Sequence, residues 1–308
     1  DKFVFKDLLK LPVYFWNGIK YHTTDRLFTP KPLTANITLT HRCNSRCITC
    51  DRWKNPSPTE LEPDQITQIF RNPLFSSINN LSLSGGEAAL REDLGEIAQR
   101  AVNFLPKLRE ITLFTNGLEP ELITEQVKIL LQIARFKEIC GVNVYVSVDG
   151  INTIHDKIHG IQGAFERVSE TINRLQQLQK LVTFNLSARC TVQPLNMYDL
   201  LPILNFSRHI ALPLSFAPLN TSNVFIKDRE ENEFLTFTMA QYRDLNNIFV
   251  RDIFPYLTTS NRMFWKDLFL NIGGDERKMP CNMLRYYVNP VSYTHLRAHE
   301  TVLDLVCR

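Results

Sequence analysis

"TANITLTHRCNSRCITC", residues 34–50, joins a strand-like run to three closely spaced cysteines. In the first seven residues polar and apolar side chains alternate, which is typical of a half-buried β-strand. Cys43, Cys47 and Cys50 then follow within eight residues, in a chain of 308 residues that has only seven cysteines. An odd number of cysteines, three of them crowded into one loop, does not suit a secreted disulfide framework. The stretch therefore predicts a strand that ends in a site for a metal or a metal cluster.

The composition is that of an ordinary globular protein, with 44% hydrophobic and 22% charged residues. No run of eighteen apolar residues is present, and Lys and Asp interrupt "DKFVFKDLLKLPVYFW" too often for a signal peptide. The net charge of +3 comes without a Lys/Arg stripe interleaved with aromatic residues. We expect a cytoplasmic protein that binds neither a membrane nor nucleic acid.

Both ends of the sequence look cut. It begins with Asp rather than Met, and the stretch "VSYTHLRAHET" near the other end resembles a translated sequencing adapter. We therefore expect residues 290–308 to be a non-native tail. His295, His299 and Glu300 resemble a helical metal site with imidazoles one turn apart, but we discount them, together with Cys307, as part of this tail.

Short β-rich runs alternate with helical patterns along the middle of the chain, which predicts stacked βα units. The runs are spaced by roughly 25 to 45 residues, close to the size of a βαβ unit. Helices are predicted between them from apolar residues at helical intervals, for example from Leu94 to Leu105 and from Phe165 to Leu175, and Pro63 and Pro120 fit the first turns of two more. The six predicted strands begin at or near Thr34, Leu81, Glu110, Val142, Thr183 and Leu212.

Such a series predicts an α/β fold, either an open doubly wound sheet or a complete or partial barrel. In both architectures ligands gather at the carboxyl ends of the strands. Polar residues and glycines follow four of the predicted strands, and a set of unrelated turns explains this convergence less well. These residues are Cys43, Cys47 and Cys50; Ser84, Gly85, Gly86 and Glu87; Thr115, Asn116 and Gly117; and Ser147, Val148, Asp149 and Gly150.

Two kinds of site suit the cysteines. With His41 nearby, a Cys3His zinc site in a non-catalytic binding or scaffold protein is one alternative. Structural zinc sites usually take paired cysteines from two separate segments, whereas these three come from one loop. An iron–sulfur cube held by three cysteines keeps one iron open, where it can bind and activate a ligand.

The motifs resemble those of the radical S-adenosylmethionine (radical SAM) superfamily. "CNSRCITC" has the C-x3-C-x2-C spacing, and "LSLSGGE", "TNG", "SVDG" and "HDKIHGIQGAFERV" follow in the family's order. The resemblance implies a partial (β/α)6 barrel of the TIM type over residues 34–220, after an extension at 1–33. It also implies a [4Fe–4S] cluster on Cys43, Cys47 and Cys50 that binds S-adenosylmethionine (SAM) through its open iron. One electron then cleaves SAM to a 5′-deoxyadenosyl radical, which abstracts hydrogen from a peptide or small-molecule substrate. A flavodoxin or ferredoxin is the implied electron donor.

The same resemblance implies which residues contact SAM. Gly85 and Gly86 would bring backbone groups close to the methionine amino group, because no Cβ intervenes, and Glu87 would bind that ammonium. Ser147 would contact the nucleoside or carboxylate. Asn116 and Asp149 complete the set of predicted SAM contacts, although Ser147 and Asp149 also fit an ordinary turn at a strand end.

The sequence departs from the family pattern at three positions. Thr49 stands where an aromatic residue often packs beside adenine, and Ala88 replaces a frequent proline. His159 stands where the family commonly has an arginine that grips the methionine carboxylate. We expect either His159 or Arg189, on the fifth predicted strand, to bind that carboxylate.

Several other residues have simpler interpretations. We expect His155 and Asp156 to cap the following helix rather than to act as an acid–base pair, and Trp53 to pack. Cys140 and Cys190 are expected to be small buried hydrophobic residues.

The region at 221–289 changes to helical patterns and ends in "MPCNMLRYYVNP". The fragment resembles the start of a C-terminal auxiliary-cluster domain of the SPASM or twitch type, truncated here. The resemblance implies a second Fe–S cluster that uses Cys281 in the intact protein. A single buried cysteine is the alternative.

Overall fold

The computed structural model describes residues 31–54, 60–136, 141–220, 233–272 and 287–288. Its centre is a seven-stranded sheet of parallel strands in the order β6-β5-β4-β3-β2-β1-β7. The strands are β1 (Thr34–Thr40), β2 (Asn80–Gly85), β3 (Glu110–Thr115), β4 (Gly141–Ser147), β5 (Asn185–Val192), β6 (Leu214–Pro218) and β7 (Tyr287–Val288).

All six predicted strands are confirmed. Each pairs with the next one along the chain, and no pairing closes the sheet between β6 and β1 within the described residues. The sheet is therefore an open partial barrel. The short β7 extends the edge beside β1, where Tyr287 is aligned with Thr34.

Helices connect the successive strands from β1 to β6, which run parallel to one another, as expected for the predicted βα units. Pro63 and Pro120 each begin a helix, as predicted, since a proline needs no hydrogen-bond partner for its nitrogen in a first helical turn. The predicted helices after β6 are also present, and a π-helical turn at Phe249–Ile253 follows the first of them. The helices of the described residues are α1 (Pro63–Arg71), α2 (Leu94–Phe104), α3 (Pro120–Phe136), α4 (Thr153–His159), α5 (Ala164–Gln179), α6 (Leu200–His209), α7 (Met239–Ile248) and α8 (Thr259–Ile272).

The two faces of the sheet differ sharply in chemistry. Alternate residues such as Ile37, Leu83 and Val144 are buried in one core with apolar side chains of the helices. Because successive strand residues point to opposite faces, the residues between them lie on the other side of the sheet. We call that side the polar face. One aligned row across it consists of Asn36, Ser82, Thr112, Asn143 and Asn185.

Two of the simpler interpretations can be checked. The Asp156 carboxylate accepts hydrogen bonds from the N–H groups of Gly163 (2.7 Å) and Phe165 (2.9 Å), so it caps the start of α5 as predicted. Cys190 is fully buried on β5, also as predicted. The other isolated cysteines and the suspected tail site lie outside the described residues: Cys140, Cys281, His295, His299, Glu300 and Cys307.

In the part of the chain that the structure describes, none of the helices combines the length and the apolar character needed to span a bilayer.

Candidate functional site

The loop with the three cysteines leaves the carboxyl end of β1 and lies against the end of α4. The N–H groups of Arg46 and Ile48 donate to the carbonyls of His159 (2.9 Å) and Ile158 (3.0 Å). The Trp53 indole N–H donates to the carbonyl of Cys47 at 3.2 Å, so this tryptophan holds the loop as well as packing on it. The cysteines are thus fixed by residues more than a hundred positions away in the sequence.

All three cysteines are free thiols with partly exposed side chains. The Ser45 N–H (3.4 Å) and the Asn116 side-chain amide (3.6 Å) both point at the Cys43 sulfur. The Cys47 sulfur lies 3.0 Å from the Ser45 hydroxyl and 3.7 Å from His159 Nδ1. Donors directed at sulfur suit thiolates that serve as ligands.

The electrostatic surroundings of the thiols differ. Burial raises the pKa of Cys43 to about 11, against the hydrogen bond from Ser45, and burial also raises the pKa of Cys50. Burial alone would raise the pKa of Cys47 too, but the charge of His159 and the hydrogen bonds from His159 and Ser45 together outweigh burial, and the pKa is lowered. Cys43 therefore becomes a thiolate near neutral pH only when a metal displaces its proton.

The glycine pair that follows β2 packs directly on the start of the cysteine loop. Gly86 donates its N–H to the Thr40 carbonyl at 2.7 Å, and Glu87 donates to the Arg42 carbonyl at 2.9 Å. A Cβ on Gly85 would lie 2.3 Å from the Thr40 oxygen, and one on Gly86 would lie 2.2 Å from the Arg42 oxygen. Gly85 also has a φ of 142°, which favours glycine. The close backbone approach predicted for this pair is thus made to the protein's own chain.

The Glu87 side chain is engaged within the protein, and its predicted contact with SAM stays a prediction. We expected its carboxylate to bind the ammonium of SAM, but it is 1% exposed and accepts hydrogen bonds from the N–H groups of Asn116 (2.7 Å) and Ala89 (3.2 Å). Burial raises its pKa to about 7, although these N–H groups act in the opposite direction. Glu87 therefore fastens the end of β2 to the end of β3.

Glu87→Gln is expected to lower the free energy of unfolding by about 1–3 kcal/mol, because the amide NH2 faces a backbone N–H and leaves a buried donor without an acceptor. Denaturant unfolding of the apo chain measures this. Glu92→Gln, outside these contacts, is the matched control and should change little. Equal stability of the two variants would contradict this role of Glu87.

Asn116 is also committed to the protein. Its side-chain amide donates to Asn44 Oδ1 at 2.8 Å as well as pointing at Cys43, and its Oδ1 accepts from the N–H of Leu118 at 3.0 Å. Asn116 therefore helps to hold the cysteine loop, and its predicted direct contact with SAM stays a prediction.

His159 and Asp149 are paired with each other beneath the loop. His159 is 2% exposed, and its Nε2 lies 3.0 Å from Asp149 Oδ2. Burial alone would lower the pKa of His159, but the Cys47 thiolate and Asp149 outweigh it and raise the pKa to about 10. Both ring nitrogens of His159 are thus engaged inside the protein, and the predicted contacts of His159 and Asp149 with SAM stay predictions.

The prediction that His155 caps a helix is wrong. Its Nδ1 accepts the backbone N–H of Asp149 at 3.2 Å, and its ring stacks on that of His159 with centroids 4.1 Å apart. Burial, followed by the charge of His159, lowers the pKa of His155 to about 3, so the ring is neutral.

Ser147 and Arg189 are neighbours on the polar face, aligned across β4 and β5. Ser147 is the last residue of β4, and Arg189 lies in the carboxyl-terminal half of β5, towards the end of the sheet where the cysteine loop begins. The Arg189 guanidinium lies 5.5 Å from the centre of the Phe114 ring, which in turn stacks on Tyr145 with centroids 5.2 Å apart. The result is a cationic and aromatic patch on the polar face.

The sequence from residue 37 to residue 196 matches the family model described as "Radical SAM superfamily". The chain belongs to the radical SAM superfamily. Members of this superfamily use a [4Fe–4S] cluster and SAM, and the matched region contains the three cysteines, the glycine pair and Ser147.

Three curated relatives illustrate the range of the superfamily that this chain resembles. It is 27% identical over 157 residues to the sporulation killing factor maturation protein SkfB of Bacillus subtilis, covering 51% of this chain and 36% of SkfB. It is 28% identical over 193 residues to a probable GTP 3′,8-cyclase of Methanocaldococcus jannaschii, covering 60% and 59%. It is 27% identical over 281 residues to the PqqA peptide cyclase of Rhizobium meliloti, covering 84% and 69%.

The fold is shared with solved radical SAM structures. Streptococcus suis SuiB bound to the precursor peptide SuiA superimposes with a TM-score of 0.58 at 13% identity, covering 90% of this chain and 62% of SuiB. The matched regions span 36% of SkfB and 59% of the Methanocaldococcus jannaschii GTP 3′,8-cyclase. This chain therefore corresponds to only part of the length of these relatives.

The residues present fit the superfamily's cluster. Three free thiols share one loop, with N–H donors directed at two of the sulfurs. Among the described residues, no group of three or more His, Cys, Asp or Glu side chains is placed to hold a single metal ion, so a Cys3His zinc site with His41 finds no support. A cluster distributes its ligands over different irons, and its thiols therefore need not converge on one point.

Proposed function

We propose that this radical SAM chain is an enzyme that removes a hydrogen atom from a peptide substrate. The observation that supports this proposal is the cysteine loop. Its three free thiols have the spacing of the family motif, and the loop begins at the carboxyl end of β1. Cys43, Cys47 and Cys50 would hold the [4Fe–4S] cluster. When bound, the cluster supplies the electron that cleaves SAM to a 5′-deoxyadenosyl radical.

The chain's own residues would seat SAM at the same end of the sheet. The backbone at Gly85 and Gly86 is proposed to receive the methionine amino group. Because His159 is engaged within the protein, Arg189 is the proposed partner of the methionine carboxylate, next to Ser147 on the aligned strand. An arginine side chain is positively charged at neutral pH and can therefore pair with the methionine carboxylate of SAM.

The polar face supports a peptide as the substrate. Its asparagine side chains each carry a donor and an acceptor, which match the N–H and C=O groups of a peptide backbone. Asn185 and Asn143 hydrogen-bond each other at 2.7 Å in the amino-terminal halves of their strands, so this row is proposed to hold a part of the peptide remote from the cysteine loop. The PqqA peptide cyclase and the peptide-bound SuiB give further support, whereas the relatives named GTP 3′,8-cyclases point to a nucleotide as the second candidate.

Anaerobic assays can separate these candidates. The reconstituted chain is incubated with SAM and dithionite, and 5′-deoxyadenosine is measured without substrate, with GTP, and with a short peptide encoded beside the gene. We expect the peptide to accelerate 5′-deoxyadenosine formation. Acceleration by GTP alone would contradict the peptide proposal, and no 5′-deoxyadenosine under any condition would contradict the enzymatic function.

A flavodoxin or ferredoxin is proposed to replace dithionite in the cell. A second cluster at Cys281 is also a proposal, since this residue lies outside the described residues. More than four irons per chain in the intact protein would support it, and four would count against it.

A further inference from the structure

One of the three cysteine sulfurs is linked to a buried carboxylate through a histidine ring. His159 Nδ1 lies 3.7 Å from Cys47 Sγ, and Nε2 of the same ring lies 3.0 Å from Asp149 Oδ2. His159 and Asp149 are 2% and 7% exposed. The three residues form a continuous polar chain from the interior of the protein to the cysteine loop.

The far end of this chain is fixed by the backbone and by a neighbouring ring. Asp149 Oδ1 accepts the Thr191 N–H at 2.6 Å, and the Asp149 carbonyl accepts the Asn196 side-chain amide at 2.9 Å. The His155 ring stacks on the other side of His159 with centroids 4.1 Å apart. The imidazole therefore has little freedom to turn away from Cys47.

Both partners of the imidazole accept hydrogen bonds. A carboxylate has only acceptor oxygens, and a cysteine sulfur that binds iron has lost its proton. The ring can satisfy both only by donating through both nitrogens. Cys43 differs, because the groups directed at its sulfur are the backbone N–H of Ser45 and the side-chain amide of Asn116.

We propose that His159 is a positioning residue that orients Cys47 and raises the reduction potential of the cluster, with Asp149 holding the ring. This inference rests on the proposed cluster ligands. A donor aimed at a ligating sulfur stabilises the reduced, more negative cluster, and hydrogen bonds to sulfur are among the factors that set cluster potentials. His159 stands where the resemblance places an arginine, so the role proposed here differs from the carboxylate contact that the resemblance implies.

Variants that retain only one of the two hydrogen-bonding nitrogens can distinguish the contact with Cys47 from the contact with Asp149. In His159→Asn the side-chain amide occupies approximately the place of Nδ1, so it can still donate to Cys47. In His159→Gln the amide occupies approximately the place of Nε2 and can reach only Asp149. His159→Leu keeps neither contact. His209→Asn, on the exposed end of α6, is the control for replacing a histidine far from the loop.

The test is an EPR-monitored redox titration of the reconstituted full chain. We expect His159→Leu and His159→Gln to shift the cluster midpoint to more negative values, and His159→Asn to stay nearer the wild type. If the Leu variant fails to hold iron, the comparison of the Asn and Gln variants tests the inference: a midpoint more negative in His159→Gln than in His159→Asn supports it, and the reverse order contradicts it. Equal midpoints in the wild type and in every iron-containing His159 variant would overturn the inference.

Loss of iron to a chelator gives a second readout. A poorly oriented Cys47 should release iron faster in the Leu and Gln variants than in the Asn variant, and equal rates in all variants would count against an orienting role. If the wild-type chain itself forms no [4Fe–4S] cluster, the proposed function fails instead, so the two failures can be distinguished.

Discussion

Cys47→Ala is expected to leave the reconstituted chain without a stable [4Fe–4S] cluster and to reduce 5′-deoxyadenosine formation to background. Only two of the three proposed cysteine ligands remain on the loop, and the cluster loses one of its three anchors. Cys43→Ala and Cys50→Ala should behave in the same way. Iron, acid-labile sulfide and visible absorbance measure the cluster.

Cys190→Ala is the matched control for these variants. Cys190 is fully buried on β5, where its sulfur lies 3.6 Å from the Asn196 side-chain amide, and it has no place in the cysteine loop. Its replacement should cost about 1 kcal/mol of stability and leave the iron content unchanged. Full iron retention by any of the three loop variants would contradict the proposed ligand set.

Gly86→Ala is expected to have the second largest effect. The added methyl group would lie 2.2 Å from the Arg42 carbonyl oxygen and 2.8 Å from its carbon, both of which are backbone atoms that no side-chain rotation can move away. Either the end of β2 or the chain entering the cysteine loop must shift, with loss of the hydrogen bond from Glu87 N–H to Arg42. The free energy of unfolding should fall by about 1–3 kcal/mol or more, and iron incorporation should fall with it.

Gly141→Ala supplies the control for the Gly86 experiment. Gly141 begins β4, and the nearest atoms to an added Cβ are 3.9 Å away, at ordinary contact distance. Denaturant unfolding and iron content should both stay close to those of the wild type. A Gly86→Ala chain as stable and as rich in iron as Gly141→Ala would show that β2 and the loop do not pack as described.

The sheet was predictable because its signals are local. The alternation in β1, for example, places Ile37 and Leu39 in the core and Thr38 on the opposite face, and that pattern is readable within seven residues. Pro63 and Pro120 marked helix starts for an equally local reason. Whether the strands form an open sheet or a barrel depends on strand curvature, which no single segment specifies, and only the family resemblance favoured the partial barrel.

The site was predictable only for the residues whose spacing carries the signal. The cysteines lie within one loop, whereas His159 meets Cys47 across 112 positions and Asn116 meets Cys43 across 73. No local pattern indicates such contacts. For the same reason the sequence does not reveal that the Glu87 carboxylate accepts hydrogen bonds from the backbone N–H groups of Ala89 and Asn116.

Gly85 and Gly86 are glycines for a reason that the sequence does not show, namely their packing against the chain that follows β1. The glycines were expected to let the backbone approach the methionine amino group of SAM, which stays a prediction; the structure shows a close approach of Gly85 and Gly86 to another part of the chain. The approaching group is the backbone at Thr40 and Arg42, because β2 pairs in parallel with β1 up to the point where the cysteine loop begins.

Low-temperature EPR of the dithionite-reduced chain, recorded with and without SAM, tests the central claim most directly. The claim is that Cys43, Cys47 and Cys50 leave one iron of a cubane cluster open for SAM. It predicts a [4Fe–4S] signal of one cluster per chain that changes in shape when SAM is added and is missing in Cys47→Ala. A chain that takes up zinc and no iron, or a cluster signal that SAM leaves unchanged, would contradict it.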